Sequence, residues 1–275
     1  MADFTQVAAL LLGCLGMASN MILLLALWRT KAKWNRLNLQ SVGPVLLIDT
    51  VASFLVVVKE ILSFYMGNIE LLSTSWLCPY FGTTFIILSC LSMILISAMA
   101  IDRYCILVHG FNIRCLWGWL VIVLLGVTVS SLLVLNTVIN GLRPNSSFTY
   151  CRPDGSNALT LAAHRLATAV VLVGLVVVSF CYARIYLHCR KALAAFHEMS
   201  GRFLFVLVAY HICLLPKFIT SLWGLFADQS TIPFFIHVIG PLGIVLLFVI
   251  NPLLVIGLKA TLRKELHSLF KHTPS

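Results

Sequence analysis

Residues 78–104 read CPYFGTTFIILSCLSMILISAMAIDRY, and the architecture follows from this segment. It is largely apolar until the acid, the cation and the phenol at its end, Asp102-Arg103-Tyr104. Arg103 follows Cys78 by 25 positions, which in a helix is roughly 37 Å and exceeds a hydrocarbon core of about 30 Å. The segment therefore predicts a membrane helix with a cysteine on one side and a charged triplet on the other.

The composition is typical of an integral membrane protein. Hydrophobic residues make up 60% of the 275 residues and charged residues only 10%, with a mean hydropathy of +1.01. A soluble chain of this length needs many more charges to cover its surface. The net charge of +10 does not indicate nucleic-acid binding, because the 19 Lys and Arg residues cluster between apolar runs.

Seven apolar runs are each about 20 residues or longer, the length of a membrane helix. Helices are expected because isolated strands cannot satisfy their backbone groups in lipid. The first run is expected to stay as a helix, since no basic residue precedes it as in a signal peptide. The prediction is an all-α bundle with spans at about 5–28, 40–64, 76–104, 115–139, 160–185, 201–226 and 232–257.

Basic residues predict the orientation. The first, third and fifth connecting segments and the tail hold Arg29, Lys31, Lys33, Arg36, Arg103, Arg114, Arg184, Arg190, Lys191, Arg202, Lys259, Arg263, Lys264 and Lys271. The opposite side has only Arg143 and Arg152. The positive-inside rule then predicts a multi-pass plasma-membrane protein with its N-terminus outside and its C-terminus in the cytoplasm.

The chain divides into a membrane domain, 1–258, and a cytoplasmic tail, 259–275. In the tail, Leu262, Leu266, Leu269 and Phe270 fall near one helical face, and basic residues occupy much of the other. This pattern predicts a short amphipathic helix on the inner membrane surface.

The external side carries two cysteines and one sequon. Of nine cysteines, only Cys78 and Cys151 fall at or outside the external boundary. We expect them to form a disulfide, because that side is oxidising. Asn145 begins an Asn-Ser-Ser sequon in the same loop and is a candidate glycosylation site.

Several polar residues are predicted to lie inside the membrane. Asp49 falls deep in the second span, where an ionisable group costs at least a few kcal/mol. Asn20, Ser92 and Asn251 lie at similar depth in the first, third and seventh spans. They are expected to form one hydrated cluster that suits a small cation; the alternative is that each bonds separately to a neighbouring helix.

The chain resembles the rhodopsin-like (class A) G-protein-coupled receptors over essentially its whole length. The matching residues, in order, are Asn20, Asp49, Cys78, Asp102-Arg103-Tyr104, Cys151, Tyr182, Cys213-Leu-Leu-Pro216 and Asn251-Pro252. The resemblance implies a receptor that binds an external ligand and activates a heterotrimeric G protein.

The resemblance also implies residue roles. Asp102 would pair with Arg103 in the resting state. Activation would free Arg103, and an outward movement of the sixth span would open a cytoplasmic cleft for the G protein. The implied activation switch is Asp102, Arg103, Tyr104, Tyr182, Pro216, Asn251 and Pro252, with both prolines kinking their helices. The implied sodium-like site is Asp49, Ser92, Asn251 and Asn20, and no other cofactor is expected.

The chain departs from the family pattern at several switch positions. Leu214 stands where the family usually has tryptophan, Val255 where it has tyrosine, and Gly174 where proline is usual. Phe85 occupies the position at which aminergic receptors of this family have the aspartate that binds the amine. A biogenic amine is therefore not expected as the ligand. Val245 replaces the lysine that binds retinal in opsins.

The predicted ligand pocket lies in the outer part of the bundle. Lys59, Lys217 and His237 favour an anionic group; the alternative is that Glu60 neutralises one lysine while the other extends outward. A small or lipid-like ligand is expected within the helices. The candidate residues are Lys59, Glu60, Phe85, Leu214, Lys217 and His237.

The sequence is also compatible with two other functions. A transporter or channel would use the buried charged residues as a polar path, although no inverted repeat is apparent. An opsin-like photoreceptor would lack the usual retinal lysine. An enzyme is not expected, because the sequence has no metal-ligand pair, nucleophile motif or phosphate-binding loop.

Overall fold

The computed structural model describes residues 2–29, 42–66, 77–110, 126, 142–144, 151–153, 158–192, 197–226 and 233–258. Within these ranges the chain forms six long helices: α1 (Ala2–Arg29), α2 (Val42–Met66), α3 (Leu77–His109), α4 (Ala158–Ala192), α5 (His197–Phe226) and α6 (Phe234–Leu258). The fourth predicted span lies outside the described residues except for Gly126, which is helical. Helices α4, α5 and α6 are therefore the fifth, sixth and seventh predicted spans.

The helices match six predicted spans, with small differences at their ends. The largest difference is at α4, which continues to Ala192 although its apolar run was expected to end near residue 185. The added turns contain Tyr186, Leu187 and His188 followed by basic residues. Hydropathy detects where a helix leaves lipid, whereas the backbone hydrogen bonds continue through residues that tolerate both helix and water.

The helices pack as a closed ring. Each helix contacts the next in chain order, α6 returns to α1, and α2 also reaches α6. All six contribute to one buried apolar core, which includes Leu27, Leu46, Ile96, Val178, Tyr210 and Leu247. Polar side chains that point into the ring are consequently brought within reach of one another.

The outer surface of the bundle is also apolar. Phe4, Leu15, Trp28, Phe54 and Phe205 are each more than half exposed. Contiguous exposed apolar surface of this kind suits lipid. Three segments, Phe4–Arg29, Leu77–His109 and Ala162–His188, are long and apolar enough to cross a membrane, and α5 and α6 contain shorter apolar stretches.

Two short strands lie at one end of the bundle. Strand β1 (Leu142–Pro144) pairs antiparallel with β2 (Cys151–Pro153), with Pro144 opposite Cys151. The sequence did not predict this pairing, because three-residue strands give too little alternation to detect. The expected Cys78–Cys151 disulfide is present and fixes β2 to the first turn of α3. We call this the disulfide end, and the opposite end the Arg103 end.

Candidate functional site

A chain of buried hydrogen bonds crosses the middle of the bundle. The Ser92 hydroxyl donates to Oδ1 of Asp49 at 2.7 Å, and Nδ2 of Asn251 donates to Oδ2 at 2.7 Å. The Tyr210 hydroxyl donates to Oδ1 of Asn251 at 2.5 Å. All four side chains are buried. These residues, the polar cluster, join α3, α2, α6 and α5 through direct contacts.

Tyr210 was missed by sequence reasoning. It lies one turn before Leu214 in an apolar stretch of α5, where a tyrosine reads as an ordinary core residue. Only its packing against α6 shows that its hydroxyl holds the amide of Asn251. With Oδ1 accepting from Tyr210, the amide is oriented so that Nδ2 points to Asp49.

Asn20 is buried but takes part in a different contact. Its Nδ2 donates to the carbonyl oxygens of Gly16 at 2.7 Å and Phe248 at 2.8 Å, and so it joins α1 to α6. Its Oδ1 has no hydrogen-bond partner among the described residues. The structure thus brings together three of the four residues of the predicted cation site and places Asn20 outside their hydrogen-bond chain.

A cavity of about 240 Å³ connects the disulfide end to the polar cluster. Cys151 and Lys59 line it towards the disulfide end, and Ser92 and Asn251 line it at its inner end. Phe85 and Phe248 form an aromatic contact in its wall, with ring centroids 6.1 Å apart. The space is therefore mainly apolar with a polar group at each end.

The structure places five of the six predicted pocket residues in this cavity: Lys59, Glu60, Phe85, Leu214 and Lys217. The backbone of His237 lies in α6, but its side chain lies outside the described part of the structure. Lys59 forms an ion pair with Glu60, with Nζ and Oε1 separated by 2.8 Å. The predicted neutralisation of one lysine by Glu60 is thus observed, and Lys217 contributes a second cationic group.

His164 is a further cavity residue that sequence reasoning did not assign. It lies in the second turn of α4, where the sequence showed only a polar interruption of the fifth apolar run. Its Nδ1 is buried and has no hydrogen-bond partner among the described residues. It is close enough to Lys217 for the two groups to interact electrostatically.

At the Arg103 end, the predicted switch residues lie together on α3 and α4. Arg103 is half-buried and donates a long hydrogen bond of 3.4 Å to the Tyr182 hydroxyl. No ion pair joins Asp102 to Arg103 in the described structure, although the resemblance implied one. Tyr104 instead contacts His109, with 3.1 Å between the hydroxyl and Nε2.

The two prolines of the predicted switch lie within continuous helices. Helix α5 passes through Pro216, and α6 passes through Pro241 and Pro252. Near Pro216, α6 approaches α5 closely because Gly240 and Gly243 have no side chains there: a Cβ on Gly243 would collide with the carbonyl oxygen of Cys213. Asn145 and the tail 259–275 lie outside the described residues.

The comparison with known families decides the class of the protein. The family model described as 7 transmembrane receptor (rhodopsin family) matches residues 19–254. The chain belongs to this receptor family. The membership confirms the predicted seven-helix membrane bundle, of which the structure describes six helices and one residue of the remaining span. The family is one of multi-pass membrane receptors rather than enzymes.

The receptor is also similar to a curated protein. It is 24% identical over 216 residues to Galanin receptor type 1 of Mus musculus, a match that covers 72% of this chain and 62% of that receptor. The chain thus aligns with less than two thirds of its relative's length. This similarity supports the class of receptor and leaves the ligand to be argued from the cavity.

Proposed function

We propose that this receptor binds a small or lipid-like ligand with an anionic group and activates a heterotrimeric G protein. The observation that carries the proposal is the cavity that runs from Lys217 to Ser92 and Asn251. A ligand in this cavity would lie against two members of the polar cluster. Its binding is therefore expected to alter contacts that join four helices.

The cavity lining supports the ligand class. Phe81, Phe85, Phe218 and Phe248 supply aromatic surface, which suits an apolar body. The Lys59–Glu60 pair is formally neutral, and Lys217 adds a second cation to the cavity lining. An anionic group is favoured there, because a charge in a low-dielectric site is stabilised by an opposite one.

The response would travel from the cavity to the Arg103 end through α5. Tyr210 contacts Asn251 near the cavity, and one turn later Leu214 lines the cavity itself. A ligand that shifts Leu214 or Asn251 would change the relative position of α5 and α6. Such a two-state change, if it also exposes Arg103, provides the binding surface for a G protein.

The orientation rests on the basic residues and the cysteines. The Arg103 end carries Arg29 and Arg184, whereas the opposite end carries the Cys78–Cys151 disulfide. A disulfide belongs to the oxidising side and basic residues to the cytoplasmic side. The cavity then faces outwards, with the C-terminus in the cytoplasm of a cell whose plasma membrane holds the receptor.

The polar cluster has donors that fit a sodium ion. Asp49 supplies a buried carboxylate and Ser92 a hydroxyl oxygen, and hard cations prefer oxygen ligands. Oδ1 of Asn251 already accepts the Tyr210 hydrogen bond, which makes it the weaker ligand. Bound sodium would supply positive charge against Asp49 and so stabilise the carboxylate inside the membrane.

Nucleotide exchange tests the proposal. Purified receptor in lipid nanodiscs is combined with purified G proteins and a library of small anionic and lipid-like compounds, with galanin included because of the similarity described above. Basal or ligand-driven exchange is expected, and Arg103→Ala should abolish it. Arg29→Ala is the matched control, since this exposed arginine lies on α1, away from α3 and α4. Ion flux that survives Arg103→Ala, with no exchange under any condition, would favour a transporter.

A further inference from the structure

Two buried polar atoms in the cavity lack hydrogen-bond partners among the described residues: Oε2 of Glu60 and Nδ1 of His164. Both residues line the cavity. Glu60 is only 5% exposed, so water gives little compensation. A buried polar atom without a partner costs about 1–3 kcal/mol, and more when it is charged. Such atoms in a cavity wall indicate the groups that a bound molecule supplies.

The two atoms require different hydrogen-bonding groups from a ligand. Oε1 of Glu60 is held by Lys59 at 2.8 Å, and a carboxylate oxygen can only accept, so Oε2 needs a donor. Nδ1 of a neutral imidazole can accept or donate, according to its tautomer. Lys217, on α5, lines the same cavity and attracts negative charge. One cavity therefore presents an acceptor, an adaptable group and a cation.

We infer that the cavity recognises a zwitterionic ligand with an apolar body, the chemistry of an α-amino acid with an aromatic or aliphatic side chain. Its ammonium group donates to Oε2 of Glu60, its carboxylate binds Lys217 and His164, and its side chain packs against Phe85 and Phe248. This inference rests on the proposed function only in taking the cavity as the ligand site. It narrows the ligand from anionic to zwitterionic.

The size of the space supports a small ligand of this kind. Ligand pockets are typically about 300–1,000 Å³, and this cavity is about 240 Å³. The polar groups come from α2, α4 and α5, so one compact head group would contact three helices. A purely anionic ligand would contact Lys217 and leave Oε2 of Glu60 without a donor.

Binding to the full receptor, without G protein, tests the inference. The probes share one aromatic body: L-phenylalanine, 3-phenylpropanoate without the ammonium, 2-phenylethylamine without the carboxylate, and N,N,N-trimethylphenylalanine, which keeps both charges but has no N–H. Binding is followed by isothermal calorimetry in nanodiscs. L-Phenylalanine is expected to bind at least about tenfold more tightly than each of the others.

Variants locate the contacts. Glu60→Gln should reduce the affinity for L-phenylalanine about tenfold and leave that for 3-phenylpropanoate within about twofold. Lys217→Met should weaken both. Thr50→Val is the control, because Thr50 bonds its own helix at the Leu46 carbonyl and does not line the cavity. If Glu60→Gln fails to fold, the trimethylated probe on the unmodified receptor still decides whether the N–H is required.

The inference is overturned if 3-phenylpropanoate or the trimethylated probe binds as tightly as L-phenylalanine, or if L-phenylalanine does not bind at millimolar concentration. Either result leaves the proposed receptor function intact, since that function is judged by nucleotide exchange. Conversely, zwitterion binding with no exchange under any condition would reject G-protein coupling and retain the ligand class.

Discussion

The Tyr210 hydroxyl donates a hydrogen bond of 2.5 Å to Oδ1 of Asn251, and so α5 is joined directly to the residue that contacts Asp49. The chain has valine at position 255, where the receptor family usually has tyrosine. Tyr210 thus provides a phenol–amide contact between α5 and α6 at a different level of the bundle. We expect this contact to restrain relative movement of the two helices.

Tyr210→Phe should destabilise the receptor and raise basal nucleotide exchange. The change removes one hydroxyl and leaves Oδ1 of Asn251 buried without its donor, at a cost of about 1–3 kcal/mol. Thermal unfolding in detergent and exchange without ligand measure the two effects. Tyr65→Phe is the matched control, because Tyr65 is 94% exposed. Unchanged stability and exchange in Tyr210→Phe would show that the contact restrains nothing.

Asp49→Ala should abolish any dependence of ligand affinity on sodium. The variant removes the buried carboxylate and leaves the Ser92 hydroxyl and the Asn251 amide without their acceptor. Ligand affinity is measured in sodium chloride and in a choline salt of equal ionic strength. Ser97→Ala, on the same helix as Ser92 but bonded to Met93 and Gly174, is the control. Sodium dependence that persists in Asp49→Ala would place the ion elsewhere.

Gly243→Ala should lower the free energy of unfolding by about 1–3 kcal/mol, because the added methyl overpacks the contact with the Cys213 carbonyl. Gly240→Ala is a matched control one turn earlier on α6, where a Cβ would meet Lys217 Cα at 3.4 Å. Thermal unfolding of both variants measures the difference. If Gly243→Ala and Gly240→Ala lowered the stability equally, α5 and α6 would be able to move apart at Gly243 with little cost.

Lys217→Ala should abolish the exchange response to an anionic or zwitterionic agonist, because the cavity loses the cation that binds the carboxylate. Concentration–response curves for nucleotide exchange measure the effect. Arg165→Ala is the control: this cation is exposed on α4 next to His164 and does not line the cavity. Unchanged potency in Lys217→Ala would exclude Lys217 from ligand recognition.

Replacing both Cys78 and Cys151 by serine should lower the stability of the receptor by about 2 kcal/mol or more, since a native disulfide typically contributes that much. The disulfide closes a segment with a sequence separation of 73 residues. Thermal unfolding with and without reductant measures the loss, and the double variant should no longer respond to reductant. Replacement of Cys14, a free and exposed cysteine on α1, is the control.

Much of the candidate site could be predicted from the sequence. Asp49, Ser92 and Asn251 were expected to meet because each is a polar residue at similar depth in an apolar span, and five of the six residues predicted for the ligand pocket line one cavity. Their depth along a helix is fixed by the rise of 1.5 Å per residue. The depth of a residue in the membrane can therefore be predicted directly from its position in the sequence.

The direction in which a side chain points around its helix was harder to predict. Helices α1 and α3 are apolar on nearly all sides, since one side faces lipid and the other the core, so periodicity does not identify the inner face. Asn20 shows the consequence: its depth suited the cluster, but its amide bonds Gly16 and Phe248. Tyr210 shows the converse, a polar contact concealed in an apolar stretch.

The sequence alone determined that this chain is a helical membrane receptor, because the lengths of apolar runs and the positions of charges, cysteines and short motifs depend only on residue order. The tertiary structure decided which side chains meet: Tyr210 with Asn251, Asn20 with the Phe248 carbonyl, and His164 with the cavity. These contacts depend on the rotation and spacing of neighbouring helices, which packing sets once the whole ring is closed.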